Sequence, residues 1–494
     1  MFGVTVMLAK LVRDDVNGVV LPYVAMTLAV VIGMAALALD GSRLMSVQSQ
    51  LQNGADALAL AGAAELDRRP DSIIRAEAAI RNLLTNPVGG ADVGQVAKVD
   101  SIEFLSSLPA DDDLPITTRN ITEDPTLAGY VQVNVEPIQM QTIFPVSLAS
   151  GRQTVTVGAQ AVAGYDQVVC NVSPAFVCNP FETSGMSYYQ ATQALVAADQ
   201  NPVAHRQLVR LARSQFKNGG YGSGDFGYVA PATGFLPTSA CGPGGGRGIP
   251  QALAATQVRA CFRLSGVNLI SSDDQLGMDG LNTRFDIYAG GFNSCRIYPP
   301  DLNVRKGFIA IGNVNWCNAK PAAPNWPMPA PDAAAMPLDQ SMVSPATHSL
   351  DRNATIGNGI WDCAGYWSVA HFVGPGKNAP PPGCSASATI SRYDLYRYEI
   401  NFLNDRSRGV EYGVPRCAPP GAANRRIITV PIVNCGSSPV PVLNDAQGVP
   451  VAGFGRFFLV LPAQLGTNGN PYAEFMGLVQ RSDPLSADMV QLNR

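Results

Sequence analysis

The run from Val19 to Leu39, VVLPYVAMTLAVVIGMAALAL, carries no charged residue and is closed by Asp40. A helix of about 20 such residues matches the hydrocarbon thickness of a bilayer, so the chain belongs with membrane-anchored or exported proteins. Pro22 falls in the first turn, where its missing N–H costs little, and Gly33 is tolerated in membrane helices. A cleavable secretory signal would have a shorter apolar core and end in an A-x-A-like site. Here DGSRLMSVQSQLQNGADALALAGAAEL follows and continues a helical pattern. The expectation is an uncleaved signal anchor. Lys10 and Arg13 precede the span, but Asp14 and Asp15 accompany them, so the charge asymmetry that orients membrane helices is weak.

Orientation rests instead on the ten cysteines: Cys170, Cys178, Cys241, Cys261, Cys295, Cys317, Cys363, Cys384, Cys417 and Cys435. In sequence order they fall into neighbouring pairs, which predicts Cys170–Cys178, Cys241–Cys261, Cys295–Cys317, Cys363–Cys384 and Cys417–Cys435. A closed loop of about 20 residues would contribute about 3 kcal/mol on the chain-entropy account. Reduced thiols or metal ligands are the rival reading. No CxxC occurs and only 3 His are present, which argues against zinc. Disulfides form in oxidising compartments, so the chain after residue 165 is expected outside the cytoplasm.

From Arg43 to Leu66, Leu44, Val47, Leu51, Leu58 and Ala55, Ala59, Ala63 recur at helical spacing. Two readings are open: a stalk packed on its own domain, or an alanine-lined strip for a partner helix. Pro70 and Asp71 end this helix, and Ile73, Ile74, Ala78, Ile80, Leu83 and Leu84 describe a second amphipathic one. Ile102 to Leu105, Tyr130 to Glu136 and Thr154 to Val162 alternate as strands do. Beyond Tyr165 short apolar runs alternate with Gly, Pro and Asn clusters. A helix is predicted from Tyr188 to Phe216, and strands at Arg392 to Phe402, Arg425 to Val433, Phe454 to Leu461 and Tyr472 to Val479. Asn218 to Gly248 and Asn318 to Pro337 read as exposed loops or linkers. The expected fold class is mixed α+β. Its parts are a cytoplasmic segment 1–18, a transmembrane helix 19–39, a unit 40–165 of helices with a small sheet, and a loop-rich α/β or α+β region 166–494.

With 34 Lys+Arg against 38 Asp+Glu, the net charge of −4 provides no basic face for nucleic acid. Neither a Gly-x-Ser-x-Gly elbow nor His-Glu-x-x-His occurs. His205, His348 and His371 lie apart in sequence. Gly222, Gly224 and Gly227 match Gly-x-Gly-x-x-Gly, yet their flanks suggest a loop. Gly376-Lys377 lacks the rest of a phosphate-binding loop. Asp111, Asp112 and Asp113 lack calcium-loop spacing and read as a solvated loop. Trp361, Trp367 and Ser391 to Ile400 (SRYDLYRYEI) supply aromatics for either a binding surface or a core. No catalytic, cofactor-binding or metal-ligating residues and no small-molecule substrate are expected.

Gly18, the apolar span to Leu39-Asp40, Arg43-Leu44, Gln48, Gln50-Leu51-Gln52-Asn53 and Ala55-Asp56-Ala57 together resemble the TadE/TadG-like family of Flp (Tad) pilus-assembly proteins. Downstream, Cys170 to Glu182, Leu281 to Tyr288, Asn303 to Gly307, Gly357 to Asp362 and Ser391 to Ile400 look similar to long TadG-type members. The resemblance implies a bacterial inner-membrane protein with a large periplasmic part. It would act without catalysis among other pilus-assembly proteins, TadE-like or secretion-machinery components. The sequence departs from two family patterns. A cut after Gly18 would place Tyr23 where prepilin-like members carry Glu. Around Asp40 and Asn171 the von Willebrand factor A metal motif Asp-x-Ser-x-Ser fails. A degenerate, metal-free version beginning near Val168 would make the C-terminal region a Rossmann-like α/β unit. The alternatives to an assembly role are a membrane-tethered periplasmic enzyme, such as a glycan-acting hydrolase with two acidic residues, and a minor pilin incorporated in the fibre.

Overall fold

The structure, a computed structural model, describes residues 20–83, 98–109, 114–141, 154–213, 221–230, 248–258, 260–270, 274–288, 290–292, 297–303, 336–343, 354–370, 379–403, 421–463 and 470–493. Helix α1 runs unbroken over Val20–Ala63. Its 44 residues span about 66 Å at 1.5 Å per residue. From Val47 onward one face turns inward, with Val47, Leu51, Ala55, Leu58, Ala59 and Ala63 all buried. That face packs on an antiparallel sheet in the order β1 (Val99–Leu105), β2 (Tyr130–Gln141), β3 (Thr154–Cys170) and β13 (Ser486–Leu492). The alternation expected of β2 is present: Val131, Val133 and Val135 point to the helix, until a register shift at Pro137 carries the strand on to Ile138 and Met140. Helix α2 (Ser72–Asn82) folds back on α1. Gly62 permits that crossing, because a Cβ there would lie 2.6 Å from Ile80 Cδ1.

β3 leads into β4 (Ala175–Cys178) of a second sheet by a turn in which Asn171 takes the left-handed conformation. This sheet adds β5 (Leu208–Arg210), β6 (Ala212–Arg213), β7 (Asp225–Val229), β10 (Ile427–Val433), β11 (Gly453–Leu461) and β12 (Tyr472–Leu478), in the order β5-β12-β11-β10-β4-β7-β6. β9 (Leu269–Ile270) also pairs with β7, and β8 (Cys261–Arg263) joins β3 in the first sheet. Both faces are covered. Ile428, Val430, Ile432, Phe457 and Leu459 meet α3 (Tyr188–Asp199), α4 (Ile249–Ala254) and α5 (Asp274–Asn282). Phe458 and Val460 meet Trp361, α6 (Cys363–Ala370) and α7 (Arg392–Leu403) on the opposite face. Burial on both sides explains why β10 and β11 read as near-continuous apolar runs.

Several expectations are corrected. Among the described residues only the β4–β10 and β6–β7 pairings of the second sheet are parallel, and this mostly antiparallel order differs from the Rossmann-like α/β unit of a degenerate von Willebrand factor A domain. The helix expected over Tyr188 to Phe216 stops at Asp199, where Asn201-Pro202 interrupts it, and Leu208–Arg210 becomes an edge strand on β12. Arg392 to Phe402 is helix rather than strand. Its buried Arg392, Leu395, Tyr396 and Glu399 repeat at three and four residues, and Ser391 Oγ caps the Asp394 N–H at 2.9 Å. The loop expected at Gly222 and Gly224 is present as a turn into β7, and Gly227 lies within that strand. The boundary expected between residues 165 and 166 falls inside β3, and β13 sits in the sheet beside α1 although it comes from the far end of the sequence.

The disulfides are corrected as well. Cys170 joins Cys261 and Cys178 joins Cys435, so neither Cys170–Cys178, Cys241–Cys261 nor Cys417–Cys435 forms. Sequence neighbours fail here because the β3–β4 turn sends Cys170 and Cys178 into different sheets. Cys170 lies opposite Cys261 in the β3–β8 register, and Cys178 ends β4 beside the end of β10, just before Cys435. Cys363 joins Cys384. Cys241, Cys295, Cys317 and Cys417, and with them the Cys295–Cys317 pairing, lie outside the described residues. Bonds closing 91 and 257 residues constrain the unfolded chain by about 5 kcal/mol each on the chain-entropy account. Peptide mapping of the non-reduced protein will recover Cys170 linked to Cys261 and Cys178 linked to Cys435. Recovery of a Cys170–Cys178 peptide would refute the observed topology.

A fully buried triad fixes the start of α7. The Arg392 guanidinium donates to Asp339 at 2.7 Å and to the Pro337 carbonyl, lies 3.4 Å from Glu474, and stacks 4.7 Å from the Trp361 ring centroid. Glu474 accepts the Arg392 and Tyr393 backbone N–H groups, holding the helix N-terminus against β12. One guanidinium faces two carboxylates. Burial pushes the Glu474 carboxyl up to about 7, against the opposing pull of Arg392. The folded protein therefore holds a proton that the unfolded chain releases between about 4.5 and 7, and stability falls as pH rises through that window. The loss amounts to about 3 kcal/mol at most. Thermal denaturation of the wild type will show a midpoint that declines from pH 5 to 7.5, and Glu474→Gln will flatten that slope.

Candidate functional site: the exposed helix and its anchorage

The first half of α1 is built as an interaction surface. An 18-residue stretch has mean hydropathy 2.1 and none of it is buried against the protein. Leu21, Met26, Ile32, Leu37 and Leu39 are all more than half exposed. A contiguous apolar surface of this kind marks a site that meets lipid or another protein. The second half behaves differently. The alanine-lined strip is covered by β2 and β3, so of the two readings open at the sequence level, packing on the protein's own domain is the one realised.

Arg481, just after β12, locks this helix down. It donates from Nη2 to the Ala64 carbonyl at 3.1 Å and from Nε to Asp488 at 2.9 Å. Nη1 lies 3.7 Å from Asp67, and the guanidinium sits 5.0 Å from the Tyr165 ring centroid. A cation at a helix C-terminus complements the carbonyl ends. Burial and the 2.8 Å bond to Asp488 push the Tyr165 hydroxyl up, keeping it a neutral donor. Beside it Arg75 pairs with Glu65, Asp67 and Asp71 across the turn that follows α1. Nothing in the sequence pattern marks Arg481, because its partners come from three separate segments, the turn after α1, β3 and β13.

The residues singled out for chemistry lie elsewhere. Trp361 and Trp367 are buried in the core beneath α7. His205 packs edge-on against Phe475, 3.8 Å from Asp199. His348, His371, Gly376-Lys377 and the Asp111 to Asp113 cluster lie outside the described residues. The segments noted from Leu281 to Tyr288, at Asn303, from Gly357 to Asp362 and from Ser391 to Ile400 contribute to two buried polar clusters, one around Asn303 and Arg426 and one around Asp339. There Asn303 bridges Glu399 and Arg426, Tyr366 donates to Glu399 at 2.8 Å, and the Gly359 N–H donates to Asp339. Asp339 and Glu474 converge on Arg392, as the two carboxylates of a glycan-acting hydrolase would converge on a substrate. Both are fully buried with Arg392 between them, so substrate cannot reach them. A nearby cleft of about 470 Å³ at Pro202, Arg206, Ser391 and Met476 is lined by neither. Among the described residues no group of three or more His, Cys, Asp or Glu could hold a metal ion.

One comparison bears on the exposed helix and its buried continuation. Residues 18–65 match the family described as putative Flp pilus-assembly TadE/G-like. The match coincides with α1 and ends within two residues of its last turn. Neither a curated protein nor a solved structure matches the chain.

Arg481→Ala will destabilise the protein by about 2 kcal/mol, because Asp67, Asp488 and the Ala64 carbonyl lose a shared donor. Calorimetry will register this as a lower unfolding midpoint, and limited proteolysis will cut first near residues 64–71.

Proposed function

We propose that this protein is a membrane-anchored, non-catalytic assembly component of a Flp (Tad) type pilus system. The supporting observation is the single helix α1. Its residues match that family while one half presents apolar surface outward and the other is buried in a folded domain. In this reading residues 19–39 cross the bacterial inner membrane and 1–18 remain in the cytoplasm. The two sheets and the helices packed on them stand in the periplasm, where disulfides form, Cys295–Cys317 among them. The domain acts by protein–protein contact with TadE-like or secretion-machinery components, and the helix fixes its height above the bilayer.

Two measurements test the reading. Alkaline carbonate extraction will leave the wild type in the membrane pellet, whereas Met26→Arg with Ile32→Arg will release it, each arginine costing about 2.5–3.5 kcal/mol at mid-span. Crosslinking and co-purification from native membranes will recover other pilus-assembly proteins. Recovery of none overturns the pilus assignment.

A further inference from the structure

Where the turn after α1 meets α2, the segment 121–126 and the start of α3, the surface opens into a cleft of about 520 Å³. Pro70, Ile73, Ile74, Pro125 and Tyr189 make its apolar walls, and Glu123 and Asp124 supply its charge. On α2 the core takes Ala76 and Ile80, while Ile74 is turned outward and is 73% exposed. An isoleucine this open on a helix whose buried face is already satisfied is available to a partner.

The charge around the cleft is unbalanced. Glu123 is exposed and forms no ion pair among the described residues. Asp124 is half-buried, and its Oδ1 accepts the Thr126 N–H at 2.9 Å and the Thr126 hydroxyl. Arg75 is already committed to Glu65, Asp67 and Asp71. The residues that line the cleft include no cation to balance Glu123 and Asp124. Paired carboxylates at such an opening attract an approaching cation and repel phosphate-bearing lipids or nucleic acids.

We propose that the cleft is a docking site for a segment of a partner protein in which an apolar side chain lies within a few residues of Lys or Arg. The apolar side chain rests on Ile73, Ile74 and Tyr189, and the basic group meets Glu123 and Asp124. Apolar contact supplies the affinity, and the charge pairing selects the partner and orients it.

The full-length chain in detergent micelles is tested with a phage-displayed pool of random peptides about twelve residues long, binding being the readout. The expected result is enrichment of peptides with Lys or Arg close to Leu, Ile or Phe. Their binding should weaken about tenfold or more on Glu123→Lys and on Ile74→Glu, and stay unchanged on Gln447→Ala at a distant exposed site. Both cleft substitutions are at exposed positions, and an unchanged unfolding midpoint certifies that they fold. No enrichment, enrichment without a basic bias, self-association of the chain through this face, or binding indifferent to both substitutions overturns the proposal. The selection uses no pilus component, so its failure leaves the proposed function standing, and failed co-purification of pilus proteins leaves the docking site standing.

Discussion

The architecture depends on a change of environment along one helix. The apolar side chains of α1 point outward in all directions over its first half, then narrow after Val47 to a strip that β2 and β3 cover. A strip of alanines brings helix and sheet close, and Gln52 reinforces the contact by donating to the Gln160 carbonyl at 2.9 Å. Because the helix is continuous through this transition, no hinge separates its exposed and buried halves. Whatever the outer half is embedded in, the first sheet must follow its tilt and rotation.

Further from the helix, the chain uses its few charged residues inside. Only 15% of residues are charged, yet Arg284, Asp301, Asp339, Arg392, Glu399, Arg425, Arg426 and Glu474 are all buried. They do so to fix loops. Arg425 donates to the carbonyls of Ala255 and Pro299, Asp301 accepts the Arg426 N–H at 2.9 Å, and Asp339 gathers Leu208, Gly359 and Arg392. In a body rich in Gly and Pro, regular ladders cannot satisfy every backbone group, and ionic side chains that donate or accept several bonds at once take their place. Removing one partner of such a set is costly, which gives these segments a structural reason for their composition.

What could be read from the sequence followed how local the cause was. The helical strip from Val47 to Ala63 and the strands β1 and β2 declare themselves by period, and the apolar span and the strands β10, β11 and β12 by near-continuous apolar runs. Helix α7 reads as a strand although Ser391 and Asp394 form a helix-start pattern, because its tyrosines resemble a strand's and its helical period rests on the buried, charged Arg392 and Glu399. Disulfide partners are illegible for a different reason. Cys178 and Cys435 meet only because β4 and β10 run parallel as neighbours, a pairing that spans 257 residues and leaves no local trace. The clamp at Arg481 and the cleft beside Ile74 are likewise products of topology.

The placement of β13 carries a consequence for biogenesis. Tyr165 in β3 and its partner Asp488 in β13 are 323 residues apart, and β3 pairs with β13 along Ala163 to Val169. During synthesis α1 and β3 emerge long before β13, so the flank of β3 that β13 will occupy waits while the 323 residues from Tyr165 to Asp488 are made. Until then an unpaired strand edge stands open, vulnerable to mispairing and to proteases. Maturation is thus gated by completion: a truncated product cannot seal its own first sheet, and quality control can recognise it by that gap.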